Sequence, residues 1–194
     1  MIIMAKATGP TYRVAFRRRR ENRTDYEKRL RLVKGGLPRM VVRYGKEVIV
    51  QFVEYSDTGD RTLAAASSGA LKKFGWAPRA NVPTAYLTGM YAAALAKKKG
   101  VKGFVLDMGL KAPVRNALPF AAQKGAIDGG LESPQGKGMV DEGRITGAHI
   151  EEYAKSLSAE DFKKKFSSYE KEGFDPKEFI KLFGKAKEAI LKEA

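Results

Sequence analysis

The residues of this 194-residue chain with the clearest chemistry are the arginines near its N-terminus, centred on the run from Arg17 to Arg20. A guanidinium group can donate two parallel hydrogen bonds to one phosphate, so clustered arginines are typical of surfaces that bind polyanions. Tyr12, Phe16 and Tyr26 lie among them, and aromatic rings can stack on unpaired bases or sugars. The pattern therefore favours an RNA-binding arm over a solvated tail or a targeting signal.

The net charge of +15 is unevenly distributed along the chain. Residues 1–34 contain 11 basic and 3 acidic residues, whereas residues 151–194 contain 10 of each. So many positive side chains repel one another unless a partner neutralises them. Binding of these side chains to phosphates of a nucleic acid releases condensed counterions. The charge distribution indicates a polyanionic partner that is bound mainly through the first part of the chain.

The composition excludes several kinds of chemical site. The chain has no cysteine, which excludes disulfides, thiolate zinc sites, iron–sulfur clusters and cysteine nucleophiles. Its one histidine, His149, cannot form a multi-histidine metal centre and is expected at the surface or in packing. The stretch from Gly130 to Lys137 is one residue too long for a phosphate-binding loop, and Gly138 replaces the residue that would hold Mg²⁺. We expect no cofactor and no metal.

Asp107 is the carboxylate whose position best suits catalysis, because it ends a predicted buried strand. A metal-dependent nuclease would need further carboxylates at neighbouring strand ends, and Glu54, Asp60 and Asp128 are the candidates. The simpler interpretation is that Asp107 caps the turn before Gly109. A nuclease is therefore the alternative function, and RNA binding without catalysis is the main one.

A membrane partner is not expected. No stretch approaches the roughly 18–20 apolar residues of a membrane span, and the first residues do not form a secretory signal. No predicted helix combines a cationic face with a large insertable apolar face. The expected location is intracellular.

The basic region is expected to end in a helix over residues 24–36. Thr24 and Glu27 have the spacing of a capping box, and Gly35 with Gly36 is a stop signal. Apolar residues form one narrow stripe, at Tyr26, Leu30 and Val33. This stripe would dock on the protein body while the other face meets RNA, and residues 17–23 would precede the helix as an extended arm.

The middle of the chain predicts an α/β core. Alternating apolar residues and turn signals indicate an antiparallel three-strand meander over residues 37–66. A broadly apolar helix over 84–98, in which Gly89 allows close approach to a sheet, crosses to a buried strand at 101–106. That strand should run parallel to an earlier one, and a further helix is expected over 115–127. The result is a mixed sheet with packed helices.

Composition divides the chain into four segments. They are a basic arm and helix at 1–36, the α/β core at 37–130, a Gly-rich loop at 131–148 and a helical C-terminal extension at 149–194. Ser158 and Asp175 are expected to cap two helices of the extension.

Seven sequence blocks, spread over about residues 8–160, resemble in the same order the uL18 family of large-subunit ribosomal proteins, in its archaeal and eukaryotic form. The blocks are RRRRENRTDYEKRLRLVKGG at 17–36, PRMVVR at 38–43, GDRTLAAASS at 59–68, NVPTAYLTGMYAAALAKKKGV at 81–101, VLDMGLKAP at 105–113, AAQKGAIDGGLESP at 121–134 and ITGAHIEEYAKSL at 145–157. Seven blocks in order are far more specific than any one of them.

This resemblance implies an α/β fold of the ribonuclease-H-like type that binds RNA without catalysing a reaction. It implies a structural constituent of the large subunit, in the cytoplasm, that binds 5S rRNA and contacts 23S rRNA. Its place would be the central protuberance, beside the other 5S-binding protein and neighbouring ribosomal proteins. The RNA contacts that it implies are Arg13, Arg17, Arg18, Arg19, Arg20, Arg23, Tyr26, Arg29, Arg31, Lys34, Arg43 and Lys111.

Overall fold

Four strands form one mixed sheet in the computed structural model, which describes residues 9–134, 136 and 138–193. The strands are β1 (Arg39–Tyr44), β2 (Val48–Glu54), β3 (Arg61–Ser67) and β4 (Val105–Asp107), in the order β3-β2-β1-β4. β1 pairs antiparallel with β2, β2 pairs antiparallel with β3, and β4 runs parallel to β1. The predicted mixed sheet with its antiparallel meander is confirmed, while the ribonuclease-H-like type stays a prediction.

One face of the sheet forms the core because apolar residues alternate along the strands. Its buried residues include Met40, Val42, Val48, Val50 and Phe52. Two helices cover this face, α3 (Val82–Lys97) against β2 and β3 and α4 (Leu118–Asp128) against β1. The opposite face of the sheet, which carries the alternate residues, is called the outer face below.

Gly89 permits close contact between two helices, and not between a helix and the sheet as predicted. A Cβ atom at Gly89 would lie 2.0 Å from the carbonyl oxygen of Ala122, and one at Gly125 would lie 2.0 Å from that of Tyr86. No side chain fits at either position, so the backbones of α3 and α4 touch directly. Both glycines are needed for this crossing.

Several predicted elements have different bounds in the structure. The buried strand expected over 101–106 spans only Val105–Asp107, and two of its three residues are half-buried. The helix expected from residue 115 begins at Leu118, with Pro119 in its first turn, where a missing backbone N–H costs no hydrogen bond. The predicted loop over 131–148 contains a short helix, α5 (Glu142–Thr146), and residues 135 and 137 lie outside the described residues. The rejected phosphate-loop pattern ends at Lys137 and so cannot be placed.

The C-terminal extension folds onto the core through an aromatic cluster. It contains α6 (Ala148–Ser156), α7 (Ala159–Glu170), a 3₁₀ turn (Pro176–Glu178) and α8 (Phe179–Glu193). The Trp76 ring lies 5.2 Å from that of Phe174, 5.0 Å from Phe179 and 6.1 Å from Phe183, all near edge-on.

The predicted caps of the extension are confirmed. Ser158 Oγ accepts a hydrogen bond from Asp161 N, and Asp175 Oδ1 accepts one from Lys177 N.

Within the described residues, no helix has both the length and the apolar character needed to span a bilayer.

Candidate nucleic-acid interface

The arginine run forms a single helical turn, α1 (Arg17–Arg20), so the prediction of an extended arm is wrong. Arg20 N donates to the Phe16 carbonyl oxygen at 3.0 Å, and Glu21 N donates to that of Arg17 at 3.0 Å. Arg18 Nε donates to Thr24 Oγ1 at 2.8 Å. These local bonds fold the run back on itself, yet all four arginines remain exposed.

The N-cap of the helix that follows, α2 (Tyr26–Lys34), lies one residue later than predicted. This N-cap is Asp25, whose side chain accepts hydrogen bonds from the backbone of Glu27 and Lys28, both at 3.1 Å. Thr24 is not the cap, and its hydroxyl instead accepts from Arg18. An Asp cap also places a negative charge at the positive end of the helix.

α2 docks through its cationic side, and the prediction that its apolar stripe would dock is wrong. Leu30, in the centre of that stripe, is 54% exposed, and no residue of α2 is buried. Instead, Lys28 Nζ donates to the Gly109 carbonyl oxygen at 3.2 Å, and Arg29 Nη2 lies 2.9 Å from both carboxylate oxygens of Asp60. Hydrogen-bond acceptors on the core thus determine which face of α2 docks. This is a tertiary effect, so hydrophobic periodicity along the sequence does not predict it.

Beneath α2, a buried arginine joins two carboxylates. The Arg39 side chain is 4% exposed, and its Nη1 and Nη2 lie 2.8 Å from Asp107 Oδ2 and 2.7 Å from Asp60 Oδ2. A buried charge is tolerated only when it is paired in this way. Arg39 was not among the predicted site residues, although the alternation in β1 places it on the same face as Arg43, and Asp60 was considered only as a nuclease carboxylate.

Asp107 performs the structural role predicted for it. Its Oδ1 accepts from Gly109 N at 2.8 Å and so caps the turn after β4. Arg43 Nη1 donates to the carbonyl oxygens of Val42 and Asp107, at 2.8 and 3.1 Å. Gly109 has a φ of +63°, and a Cβ there would lie 2.9 Å from Arg43 Nη2.

A cleft of about 290 Å³ separates α2 from the outer face of the sheet. Its basic lining residues are Arg18, Arg23, Lys28, Arg29, Arg39 and Arg43. Three carboxylates, Asp25, Asp60 and Asp107, offset part of this charge. The cleft is therefore cationic.

The predicted contact residues fall into two groups. Eight are exposed on the arm and α2, namely Arg13, Arg17, Arg18, Arg19, Arg20, Arg23, Arg31 and Lys34. The other four have intramolecular contacts near the sheet or the arm: Tyr26 packs on Phe16, Arg29 and Arg43 bind core acceptors, and Lys111 Nζ lies 5.3 Å from the Tyr44 ring centre. Lys28 and Arg43 meet at Gly109, so the arm and the end of β1 form one basic surface.

Three of the four carboxylates considered for a nuclease bind other side chains, and no ion pair involves the fourth, Glu54, among the described residues. Asp60 and Asp107 both bind Arg39, while Asp128 on α4 accepts from Tyr86 Oη at 2.7 Å and from Lys124 Nζ at 2.8 Å. Across residues 9–134, 136 and 138–193, no three His, Asp or Glu side chains converge as a metal site would require. Asp60 and Asp107 thus form ion pairs that support the basic surface above them.

Known proteins resemble this chain over most of its length. The family described as "Ribosomal large subunit proteins 60S L5, and 50S L18" matches residues 10–104. Large ribosomal subunit protein uL18 of Methanothermobacter thermautotrophicus is 44% identical over 96% of this chain and 99% of its own length. The uL18 protein of Haloarcula marismortui is 50% identical over 78% of this chain and 82% of its own, and that of Ignicoccus hospitalis is 44% identical over 96% and 95%.

These relatives are structural proteins of archaeal ribosomes and not enzymes, so the nuclease alternative is wrong. Their similarity extends over the arm, the core and, in two of the three, nearly all of the chain. The chain therefore belongs to the uL18 family and is a structural component of the large ribosomal subunit, where it associates with rRNA and other ribosomal proteins.

Proposed function

We propose that this chain binds 5S rRNA through its N-terminal arm and α2, and that it also contacts 23S rRNA. In this way it anchors 5S rRNA in the central protuberance, beside the other 5S-binding protein. The observation that carries the proposal is the set of eight exposed cations on the arm and α2, named above, all of which lie within residues 13–34.

The exposed arginines can exchange their present partners for phosphates. Arg31 lies 2.5 Å from Glu27, and Arg23 lies 3.3 Å from Glu21, but these pairs are open to solvent. Solvent-exposed ion pairs contribute little to stability, so a polyanion competes with them easily. Arginine then forms paired hydrogen bonds with phosphate oxygens.

Aromatic side chains supply the second kind of contact. Phe16 is 72% exposed although its ring packs 5.1 Å from that of Tyr26, and Tyr12 is also exposed. Such rings suit the unpaired bases of RNA loops, whereas the deep groove of A-form RNA is closed to side chains. Specificity for 5S rRNA would then come from its shape and its unpaired nucleotides.

The core presents this surface in a fixed position. Arg29, Lys28 and Arg43 are bound to acceptors around the outer face of the sheet, so α2 is oriented before RNA arrives. Arg29, Arg43 and Lys111 would add contacts at the edge of the surface. Pre-orientation reduces the entropy that binding must offset.

The test is selection of RNA by the purified full chain. The chain is incubated with total cellular RNA at moderate ionic strength, and the retained RNA is sequenced. We expect strong enrichment of 5S rRNA over other small RNAs of the same abundance. Retention of RNA in proportion to abundance alone would refute specific binding of 5S rRNA.

A further inference from the structure

A second group of cations lies at the end of α3, in the turn that leads to β4. Lys97, Lys99 and Lys102, called the α3-end lysines here, are all exposed. Gly100 has a φ of +79° and its N donates to the Lys97 carbonyl oxygen, while Val101 N donates to that of Ala96 at 3.2 Å. This hydrogen-bonded glycine turn ends the helix and gives the lysines a defined backbone.

The same turn is fastened to the body of the protein. Val101 and Phe104 are buried, and Leu131 is buried beside them. Glu132 N donates to the Lys102 carbonyl oxygen, and Phe104 N donates to that of Glu132, both at 2.9 Å. The α3-end lysines therefore project from a rigid support.

None of these lysines forms an ion pair with a described residue. Within the described part of the chain, no carboxylate oxygen lies within 4.0 Å of any of their ammonium groups, although Glu132 lines the same hollow as Lys97 and Lys102. Lys98 differs, because it donates to the Glu193 carbonyl oxygen at 2.8 Å. A cation at a helix C-terminus stabilises the helix, but Lys99 and Lys102 lie beyond α3.

The α3-end lysines belong to a different layer from the arm. α3 packs on the core face of the sheet, whereas α2 lies over the outer face, which lines the cationic cleft. Lys97 therefore ends a helix on the core side of the sheet, while Lys99 and Lys102 lie in the turn that leads to the edge strand β4. One molecule can present the arm and the α3-end lysines to different RNA segments.

We propose that the α3-end lysines form a second RNA-binding surface, which holds the sugar–phosphate backbone of 23S rRNA while the arm holds 5S rRNA. This inference rests on the proposed function and assigns one of its two contacts to a surface. Lysine ammonium groups are point charges that suit phosphates, and residues 97–103 contain no aromatic residue that could stack on a base. The lysines would therefore contact the sugar–phosphate backbone of the RNA without recognising its base sequence.

The experiment compares two triple variants of the full chain. K97A/K99A/K102A removes the α3-end lysines, and K163A/K164A/K171A removes three exposed lysines from the net-neutral extension as a matched control. For each protein, two affinities are measured as a function of salt concentration. The first is for isolated 5S rRNA, and the second is that of the preformed protein–5S rRNA complex for a 23S rRNA transcript.

The proposal predicts a loss in the second affinity only. K97A/K99A/K102A should bind 23S rRNA about tenfold or more weakly, with a salt slope smaller by about 2–3, because each duplex phosphate contact contributes about 0.9. Its affinity for 5S rRNA and both affinities of the control should match the wild type, and K97R/K99R/K102R should restore binding.

Three results for K97A/K99A/K102A would contradict the proposal of a second RNA-binding surface. They are an unchanged affinity for 23S rRNA, an equal loss of affinity for both RNAs, and a loss of affinity that the control variant shares equally. An unchanged affinity would leave an acidic protein as the partner of these lysines. Failure of the proposed function is distinguishable, because it would appear in the wild-type protein as weak, non-selective binding of 5S rRNA.

Discussion

Arg39 and Asp107 form a buried ion pair, with Nη1 and Oδ2 2.8 Å apart, that links neighbouring parallel strands beneath the basic helix. Asp107 also caps the turn to Gly109. Arg39 forms a second ion pair with Asp60, and Asp60 in turn forms an ion pair with Arg29 of α2. A carboxylate that could have served a metal thus supports an RNA-binding surface. The position of α2 therefore depends on these three connected ion pairs.

Replacing Asp107 with Asn should destabilise the fold. The substitution leaves the Arg39 guanidinium buried with only Asp60 as a charged partner, and breaking a buried pair costs about 3–5 kcal/mol. Urea denaturation measures the change in the free energy of unfolding. Glu54→Gln is the control, since it changes another strand-end carboxylate that has no ion pair among the described residues. Equal stability of the two variants would contradict a structural role for Asp107.

Replacing Asp60 with Asn should loosen α2 without unfolding the core. Asp60 holds both Arg29 and Arg39, and α2 has no buried residue to keep it docked. Amide hydrogen exchange should accelerate more in α2 than in β1 and β2, although the loss of one Arg39 partner also lowers the protection of the sheet. Asp57→Asn, at an exposed turn position, is the matched control. Unchanged exchange in α2 would show that Asp60 does not hold it.

Replacing Arg17 to Arg20 with Ala should weaken binding to 5S rRNA by at least tenfold and leave stability unchanged, because all four side chains are exposed. If each contacts one phosphate, the slope of log affinity against log salt should fall by about 3–4. Filter binding across a salt series gives both quantities. An unchanged slope would remove the arginine run from the contact surface.

Replacing Gly89 with Ala should destabilise the protein by about 3 kcal/mol or more, since the new Cβ would overlap the Ala122 carbonyl oxygen. Gly184→Ala is the matched control, because nothing lies within 4 Å of its Cβ position in α8. Helix propensity should make that variant about 0.5–1 kcal/mol more stable than the wild type. Thermal unfolding compares the two, and a stable Gly89→Ala variant would contradict the direct contact of α3 with α4.

His149 should titrate below its ordinary value. Burial lowers its pKa, and the nearby Arg144 guanidinium lowers it further. The unfolded chain then binds a proton more readily than the folded one, so the free energy of unfolding should fall as the pH drops below about 6.5. NMR titration of the one imidazole measures the pKa, and His149→Gln should remove this part of the pH dependence. A pKa at or above the ordinary value would contradict it.

Local patterns in the sequence predicted the elements that local physics determines. Alternation identified the buried face of β2, and side-chain caps located the helices after Ser158 and Asp175. The crossover implied that β4 runs parallel to an earlier strand, which the structure shows to be β1. These features depend on neighbours along the chain or on general rules of topology.

Features that depend on distant partners were not predictable in this way. The docking face of α2 is chosen by Asp60 and by the Gly109 carbonyl oxygen, which lie 31 and 81 residues from their partners Arg29 and Lys28. The apolar stripe predicted a different docking face, although Leu30 in its centre is exposed and only Tyr26 and Val33 are half-buried. The exposed cations, in contrast, were predictable from their clustering alone.

The aromatic cluster around Trp76 has a consequence for biosynthesis. Phe179, Phe183 and Ile190 of α8 are all buried, so the interior is complete only when the last of them has left the exit tunnel. Translation releases the arginine run first and these side chains last. The nascent polypeptide thus exposes its cations while the Trp76 indole still lacks the rings that cover it in the folded protein.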